Sequence, residues 1–196
     1  MASEAIRPIG PLSYLRDRPD ADGLPVFQRL QSNFGFVPNL FRVQTSRPEL
    51  IDAELSLLEG VIGQPSALTR QQKEYIFLVC SAANLSTYCV TSHCEIVRML
   101  GIDGPEPEQV ALDYTSASLP LPMKALLNFA AKLNRQAQTI GEADIEALRT
   151  FGYSEDQIME AVLIVGVARF TNTVSLGLGV LPDFDNPAVE TTIGKR

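Results

Sequence analysis

The segment from Glu74 to His93, EYIFLVCSAANLSTYCVTSH, contains an acid, a thiol and an imidazole at spacings that suit one catalytic site. Ser86 stands where the N-cap of a helix would place its hydroxyl on the backbone N–H of Cys89. Cys89 then lies in the first helical turn, where unpaired N–H groups and the positive end of the helix dipole stabilise a thiolate. The sequence therefore predicts a reactive Cys89 with a lowered pKa.

His93 follows Cys89 by four residues, so the two side chains share one helical face, one turn apart. Glu74 must come from the preceding helix, where an acid at the start of an apolar run lies at the solvent edge or turns inward toward a partner. Residue types and spacing alone leave two interpretations open. Either Cys89 is a catalytic thiol served by a proton relay, or Cys89 and His93 are a packing thiol and a structural imidazole.

The pattern Glu-x11-Ser-x2-Cys-x3-His closely resembles the motif Glu-x11-Cys-x2-Cys-x3-His of the AhpD-like alkylhydroperoxidases, within the carboxymuconolactone decarboxylase family. The stretches SAANLSTYC and FGFVPNLFRVQTSRPEL are similar to the peroxidase-related branch of that family, and the resemblance spans roughly residues 26 to 180. It implies that Cys89 is the thiol that meets peroxide, and that His93 and Glu74 form its proton relay.

Ser86 departs from the family motif, because it occupies the position of the resolving Cys and cannot form a disulfide. An external thiol or dithiol is therefore the expected reductant, and a small hydroperoxide the expected substrate. Tyr88, beside the thiol, is a supporting residue that either donates to a substrate oxygen or packs against a neighbouring element. Ser86 supports the site as the helix cap.

Two further classes of function remain open. In a decarboxylase or isomerase acting on a small lactone or acid, His93 and Glu74 would move protons and Cys89 would only line the pocket. In a non-catalytic helical protein the site would be vestigial. The family usually forms dimers, trimers or hexamers, so a homo-oligomer is expected, and no cofactor is expected.

The composition argues against several classes of protein. The net charge is −7 and the sixteen basic residues are scattered, so there is no electrostatic footprint for nucleic acid, and an acidic surface disfavours anionic membranes. Three cysteines do not make a secreted disulfide framework, and MASEAIRPIGPL lacks an apolar signal core, which favours a cytoplasmic protein.

The spacing of the other potential ligands argues against a metal site. A single His with scattered Cys residues matches no closed zinc spacing, and Cys94 points about 140° away from Cys89 around a helix. No metal is therefore expected. Cys80 lies on the apolar run, on a different face from Glu74, so Cys80 and Cys94 are interpreted as packing thiols.

Helical periodicity and capping signals predict an all-α fold of about seven to nine helices, and the resemblance implies an AhpD-like multi-helix bundle. Thr69 caps the helix that carries Glu74, and Ser154 caps the long run EDQIMEAVLIVGVARFTNTVSLGLGV. Glycines and Arg169 interrupt that run, which argues against a membrane span.

The chain divides into an extended N-terminal arm (1–25), a helical domain (26–185) and a C-terminal tail (186–196). The domain contains a site half (48–101) and a second half (122–180) joined by a proline-rich connector.

The second half carries a degenerate copy of the site motif. The set Glu160, Asn172, Ser175 and Gly179 repeats the spacing of the acid, cap, thiol and imidazole in the first half. This pattern indicates an internal repeat that kept the packing and lost the thiol and imidazole.

Overall fold

The structure is a computed structural model that describes residues 12–15 and 23–194. Over these residues it contains ten α-helices and no strand, so the predicted all-α class is confirmed, with one helix more than expected. The helices are α1 (Pro25–Phe34), α2 (Asn39–Arg42), α3 (Pro48–Leu58), α4 (Arg70–Ala83), α5 (Thr87–Met99), α6 (Pro107–Asp113), α7 (Leu121–Gln136), α8 (Glu142–Thr150), α9 (Glu155–Leu178) and α10 (Pro187–Ile193). A π-helical turn, Glu59–Gly63, continues α3, and a 3-10 turn, Ala137–Thr139, follows α7.

The predicted helix starts at α4, α5 and α9 are confirmed by side-chain caps. The Thr69 hydroxyl accepts from the backbone N–H of Gln72 at 3.2 Å, and the Gln72 side chain accepts from the backbone N–H of Thr69 at 2.8 Å. Ser154 and Gln157 make the same reciprocal pair at the start of α9. These local bonds satisfy N–H groups that the first helical turn leaves without partners.

Helix α4 lies at the centre of the fold and packs against α5, α6, α7 and α9. Its apolar run from Ile76 to Cys80 is at most 3% exposed, as expected for a helix that is covered on most sides. A smaller apolar cluster joins α1 to α3 through Phe27, Leu30 and Leu55. The central position of α4 places Glu74 in the interior.

Helix α9 has 24 residues and is long and apolar enough to cross a membrane by length and composition. Its buried side chains, among them Ile164, Val165 and Ala168, belong to the same core cluster as those of α4 and α7. This packing is that of a core helix.

The two halves share the motif spacing but differ in the path of the backbone. Between α4 and α5 the chain turns at Asn84–Ser86, with Leu85 in the left-handed region at φ 58°. Helix α9 continues without a break through Asn172 and Ser175. In the first half these motif positions therefore lie in a turn and at a helix start. In the second half the equivalent residues lie within one helix.

Helix α10 lies in the segment that the sequence assigns to a C-terminal tail. The Asn186 side chain caps it by accepting from the backbone N–H of Val189 at 3.2 Å, and Val189 is fully buried. The Thr87 hydroxyl donates to the carbonyl of Gly194 at 2.7 Å. These contacts attach the end of the described chain to the start of α5.

The N-terminal arm falls mostly outside the described residues. The described part, residues 12–15, lies on the C-terminal end of α9. The backbone N–H of Tyr14 donates to the carbonyl of Leu178 at 2.8 Å, and that of Leu181 donates to the carbonyl of Leu12 at 3.0 Å.

Candidate active site

Cys89 lies in the first turn of α5, where the sequence predicts it. The Ser86 hydroxyl accepts from the backbone N–H of Cys89 at 3.4 Å and lies 2.9 Å from the hydroxyl of Ser175 on α9. The Ser175 Oγ is in turn 3.5 Å from the Cys89 Sγ. Cys89 is 3% exposed, so its thiol lies in the interior. The hydroxyls beside it come from the cap of α5 and from α9.

The pKa of the Cys89 thiol is raised, because burial disfavours the thiolate. Hydrogen bonds from Ser86, Ser175 and Asn172 lower the pKa, but not enough to cancel the effect of burial. The predicted fall in pKa is therefore wrong for this arrangement of the chain. The cap and the helix N-terminus are present, but desolvation outweighs them.

The pKa values of the other two cysteines are also raised. Burial raises the pKa of Cys80 to about 12, and its thiol is 3.9 Å from the carbonyl of Ala130. The pKa of Cys94 is raised by burial and by the neighbouring carboxylate of Glu108. All three cysteines are buried and unbridged, and the environments of Cys80 and Cys94 are those of packing thiols.

Glu74 and His93 form the predicted acid–imidazole pair. The His93 Nδ1 is 2.6 Å from Oε2 of Glu74, and the other carboxylate oxygen accepts from Nε of Arg70 at 2.6 Å. Burial raises the pKa of Glu74, but the charges and hydrogen bonds of His93 and Arg70 lower it by more than burial raises it. The net pKa therefore lies below its usual value. Glu74 is therefore an ionised carboxylate with no exposed surface.

This pairing determines what the imidazole can do. When Nδ1 carries the proton and donates it to Glu74, the lone pair of the neutral ring is on Nε2. The ring is held in place by stacking on Phe77, with ring centroids 3.8 Å apart and an interplanar angle of 21°. Glu74 and Phe77 thus orient His93 with its basic nitrogen pointing away from the acid.

In the described residues, His93 has no hydrogen bond to Cys89, although the two residues are one turn apart on α5. The site therefore has two parts. One part is the thiol with Ser86 and Ser175, and the other is His93 with Glu74.

Tyr88 takes the packing role that the sequence left as an alternative to substrate contact. Its hydroxyl donates to Oδ2 of Asp183 at 2.7 Å and accepts from the backbone N–H of Leu40 at 3.1 Å. The second oxygen of Asp183 accepts from the backbone N–H of Asn39 at 3.0 Å. This network joins α2 and α5 to the segment after α9. Burial raises the pKa of Asp183 to about 6.

Sequence reasoning missed Arg70 as part of the site and gave Ser175 and Asn172 no role. Arg70 precedes Glu74 by four residues on α4, a spacing that predicts contact on a helical face. Asn172 donates to the Ser81 hydroxyl at 3.0 Å and accepts from the Asn84 amide at 2.7 Å. The repeat spacing in the second half marked both Asn172 and Ser175, so that signal could have found them.

A small cleft reaches the thiol side of the site. Its lining includes Ser86, Thr87, Ser175 and Gly179, and Tyr14 from the N-terminal segment. Its free volume is about 20 Å³, enough for one water molecule. The two hydroxyls that contact Cys89 thus face a space about the size of one water molecule.

No model of a protein family and no curated protein matches the sequence, but solved structures do. An uncharacterised peroxidase-related protein from Ralstonia eutropha JMP134, described as an alkylhydroperoxidase AhpD core, is 27% identical, with a TM-score of 0.82 over 96% of this chain and 100% of that chain. A peroxidase-related protein from Silicibacter sp. TM1040 is 28% identical, with a TM-score of 0.81 over 96% and 99%.

The debrominase Bmp8, in complex with 2,3,4-tribromopyrrole, is 20% identical, with a TM-score of 0.72 over 97% of this chain and 98% of that chain, and this match concerns the fold alone. Together the fold and the matches define an AhpD-like all-helical protein. Within that class the chain is similar along almost its whole length to two peroxidase-related proteins, the branch that the motif in the first half resembles.

Proposed function

We propose that this protein is a thiol-dependent peroxidase that reduces hydroperoxides through Cys89. The observation that carries the proposal is the 2.6 Å contact between Nδ1 of His93 and Glu74, which leaves Nε2 as a base one helical turn from the thiol. The similarity to two peroxidase-related proteins along almost the whole chain supports the same chemistry.

The reaction begins when Nε2 of His93 takes the proton of the Cys89 thiol. The thiolate then attacks the outer oxygen of the hydroperoxide, the O–O bond breaks, and its electron pair leaves with the alkoxide. The alkoxide takes the proton from the imidazolium and becomes an alcohol. Sulfur is thereby oxidised to the sulfenic acid while the hydroperoxide is reduced to the alcohol. Because the pKa of the Cys89 thiol is raised, the reaction needs His93 to remove the thiol proton.

Ser86 determines how the cycle ends. Because it replaces a resolving Cys, the sulfenic acid must react with an external thiol, which gives a mixed disulfide and water. A second thiol then releases Cys89 as the free thiol and leaves with the first as a disulfide. This cycle needs no cofactor, and its demand for thiols suits the cytoplasm. We also propose that the chain acts as a homo-oligomer.

A second candidate is a proton-transfer enzyme acting on a small lactone or acid. The observation that favours it is the contrast between the protonated, buried Cys89 and the fully connected set of Arg70, Glu74 and His93. In that reaction His93 would move the proton and the thiol would only line the pocket.

Turnover with a thiol reductant separates these functions. Consumption of hydrogen peroxide in the presence of dithiothreitol should be measured for the wild type, Cys89→Ser and Cys80→Ser. A peroxidase loses turnover in Cys89→Ser and keeps it in Cys80→Ser, where the serine replaces a packing thiol. Equal turnover in the wild type and Cys89→Ser, or none in any of the three, would refute the peroxidase.

A further inference from the structure

Residues 12–15 form a short strap across the C-terminal end of α9. Two backbone hydrogen bonds attach it on either side of that end, from Tyr14 to Leu178 at 2.8 Å and from Leu181 to Leu12 at 3.0 Å. The strap therefore has a defined position, and it places the Tyr14 ring directly over Gly179.

Gly179 makes room for that ring. It ends α9 in the left-handed conformation at φ +61°, and a Cβ built on it would overlap the Tyr14 ring. Any side chain at this position would be strained by the backbone and would push the ring outward. The glycine and the ring thus form one close contact.

The ring serves as a cover and not as a core anchor. Tyr14 is 60% exposed, yet it lines the small cleft together with Ser86 and Ser175. Those two hydroxyls contact the Cys89 side chain and backbone. The Tyr14 ring therefore borders the same small space as the hydroxyls around the thiol.

We infer that Tyr14 determines the size of the molecules that reach Cys89. With the ring on Gly179 the cleft holds about one water, so small reagents enter more readily than bulky ones. When the ring is absent, the same opening admits larger groups. The extension to peroxide selectivity rests on the proposed function, whereas access to the thiol does not.

Thiol labelling tests access without any assumption about catalysis. Alkylation of Cys89 by iodoacetamide and by a bulky fluorescein maleimide should be followed by peptide mass spectrometry in a Cys80→Ser, Cys94→Ser background. In Tyr14→Ala the ratio of the bulky to the small rate should rise about tenfold, which corresponds to roughly 1.4 kcal/mol off the barrier for the bulky reagent. Tyr14→Phe keeps the ring and should leave the ratio unchanged.

Two further variants keep the test independent of any single substitution. Gly179→Ala should displace the ring and raise the ratio in the same direction. Leu15→Ala is the control, since Leu15 is an exposed neighbour in the strap that does not line the cleft. An unchanged ratio in Tyr14→Ala, or an equal rise in Leu15→Ala, would overturn the inference.

Peroxide selectivity is measured separately. The ratio of turnover with cumene hydroperoxide to turnover with hydrogen peroxide should rise in Tyr14→Ala by a similar factor. If labelling changes but no variant reduces peroxide, Tyr14 controls access and the proposed peroxidase is wrong. If every variant keeps the wild-type ratio for the two peroxides and the wild-type ratio for the two labelling reagents, the peroxidase stands and the role of Tyr14 is wrong.

Discussion

The Ser175 hydroxyl lies 3.5 Å from the Cys89 sulfur, although the two residues are 86 positions apart in the sequence. Ser175 also donates to the carbonyl of Asn172 at 3.0 Å within its own helix. When the sulfur ionises, the hydroxyl can turn its proton from that carbonyl to the thiolate. The second half of the chain therefore supplies a group that favours the ionised form of Cys89.

Replacing Ser175 with Ala should raise the pKa of Cys89 further, because one of the hydrogen bonds that lowers it is removed. At a fixed pH below the thiol pKa, alkylation of Cys89 should slow by about 3- to 10-fold, the worth of one such bond. Thr173→Ala is the control, since its hydroxyl donates to the carbonyl of Arg169 in the same helix. An unchanged rate in Ser175→Ala would show that the hydroxyl has no effect on the thiolate.

Replacing Glu74 with Gln should disable His93 as a base. The amide of Gln can donate to Nδ1, which favours the tautomer with the proton on Nε2, where the base is needed. Peroxide turnover should fall by about 10²- to 10⁴-fold, while the melting curve shows a folded protein destabilised by about 1–3 kcal/mol.

Glu95→Gln is the matched control for that substitution. Glu95 lies on α5 two residues beyond His93, and its carboxylate pairs with Arg98 at 3.6 Å. Turnover in this variant should equal that of the wild type. If Glu74→Gln kept wild-type turnover, the relay would be wrong.

Replacing Ser86 with Cys should create a disulfide with Cys89. The two residues occupy the N-cap and the first turn of α5, the positions of the Cys-x2-Cys spacing. On mild oxidation the variant should lose two hydrogen atoms in a peptide that contains both residues. In the wild type Cys94 is on the same helix at i+5, about 8.7 Å away by helical geometry, so the protein should instead gain oxygen or a thiol adduct.

The control for that experiment is Ser86→Cys combined with Cys89→Ser, which should show no loss of hydrogen. A bridge from Cys89 to Cys80 or Cys94 in the oxidised wild type would contradict the one-cysteine cycle.

Asp183 should make stability depend on pH. Its pKa is about 6 in the folded protein, against an ordinary value of 3.8, so the folded state binds more protons between these values. As pH rises from about 4 to 6, this residue therefore lowers the free energy of unfolding by about 3 kcal/mol. The free energy stays at that lower value above pH 6. In Asp183→Asn that fall should disappear from the urea unfolding free energies, whereas in the exposed Asp185→Asn it should remain. An equal fall in both variants would exclude Asp183 as its source.

The parts of the site that the sequence predicts are local. The Ser86 cap, the place of Cys89 in the first turn and the one-turn step to His93 depend only on neighbouring residues, and all are present. The pair of Glu74 and His93 was implied by the resemblance to the family motif, since the apolar run alone left Glu74 either at the solvent edge or turned inward toward a partner.

The rest depends on tertiary packing. The pKa of Cys89 rises because the folded chain buries the thiol, and a pattern within α4 and α5 contains no measure of that burial. The partnership of Tyr88 with Asp183 spans 95 positions, so no local signal shows it. Helix α10 has seven residues, fewer than a clear helical period needs, and it lies in the segment that the sequence assigned to a tail.

Direct oxidation of the protein tests the central claim that Cys89 is the peroxide-reactive thiol. The wild type should be treated with one equivalent of hydrogen peroxide in the presence of dimedone, then examined by intact mass and peptide mapping. We predict one adduct per chain, confined to Cys89, with none in Glu74→Gln over the same time and none at Cys80 or Cys94. An unmodified Cys89, or an adduct that forms first at Cys80 or Cys94, would contradict the account.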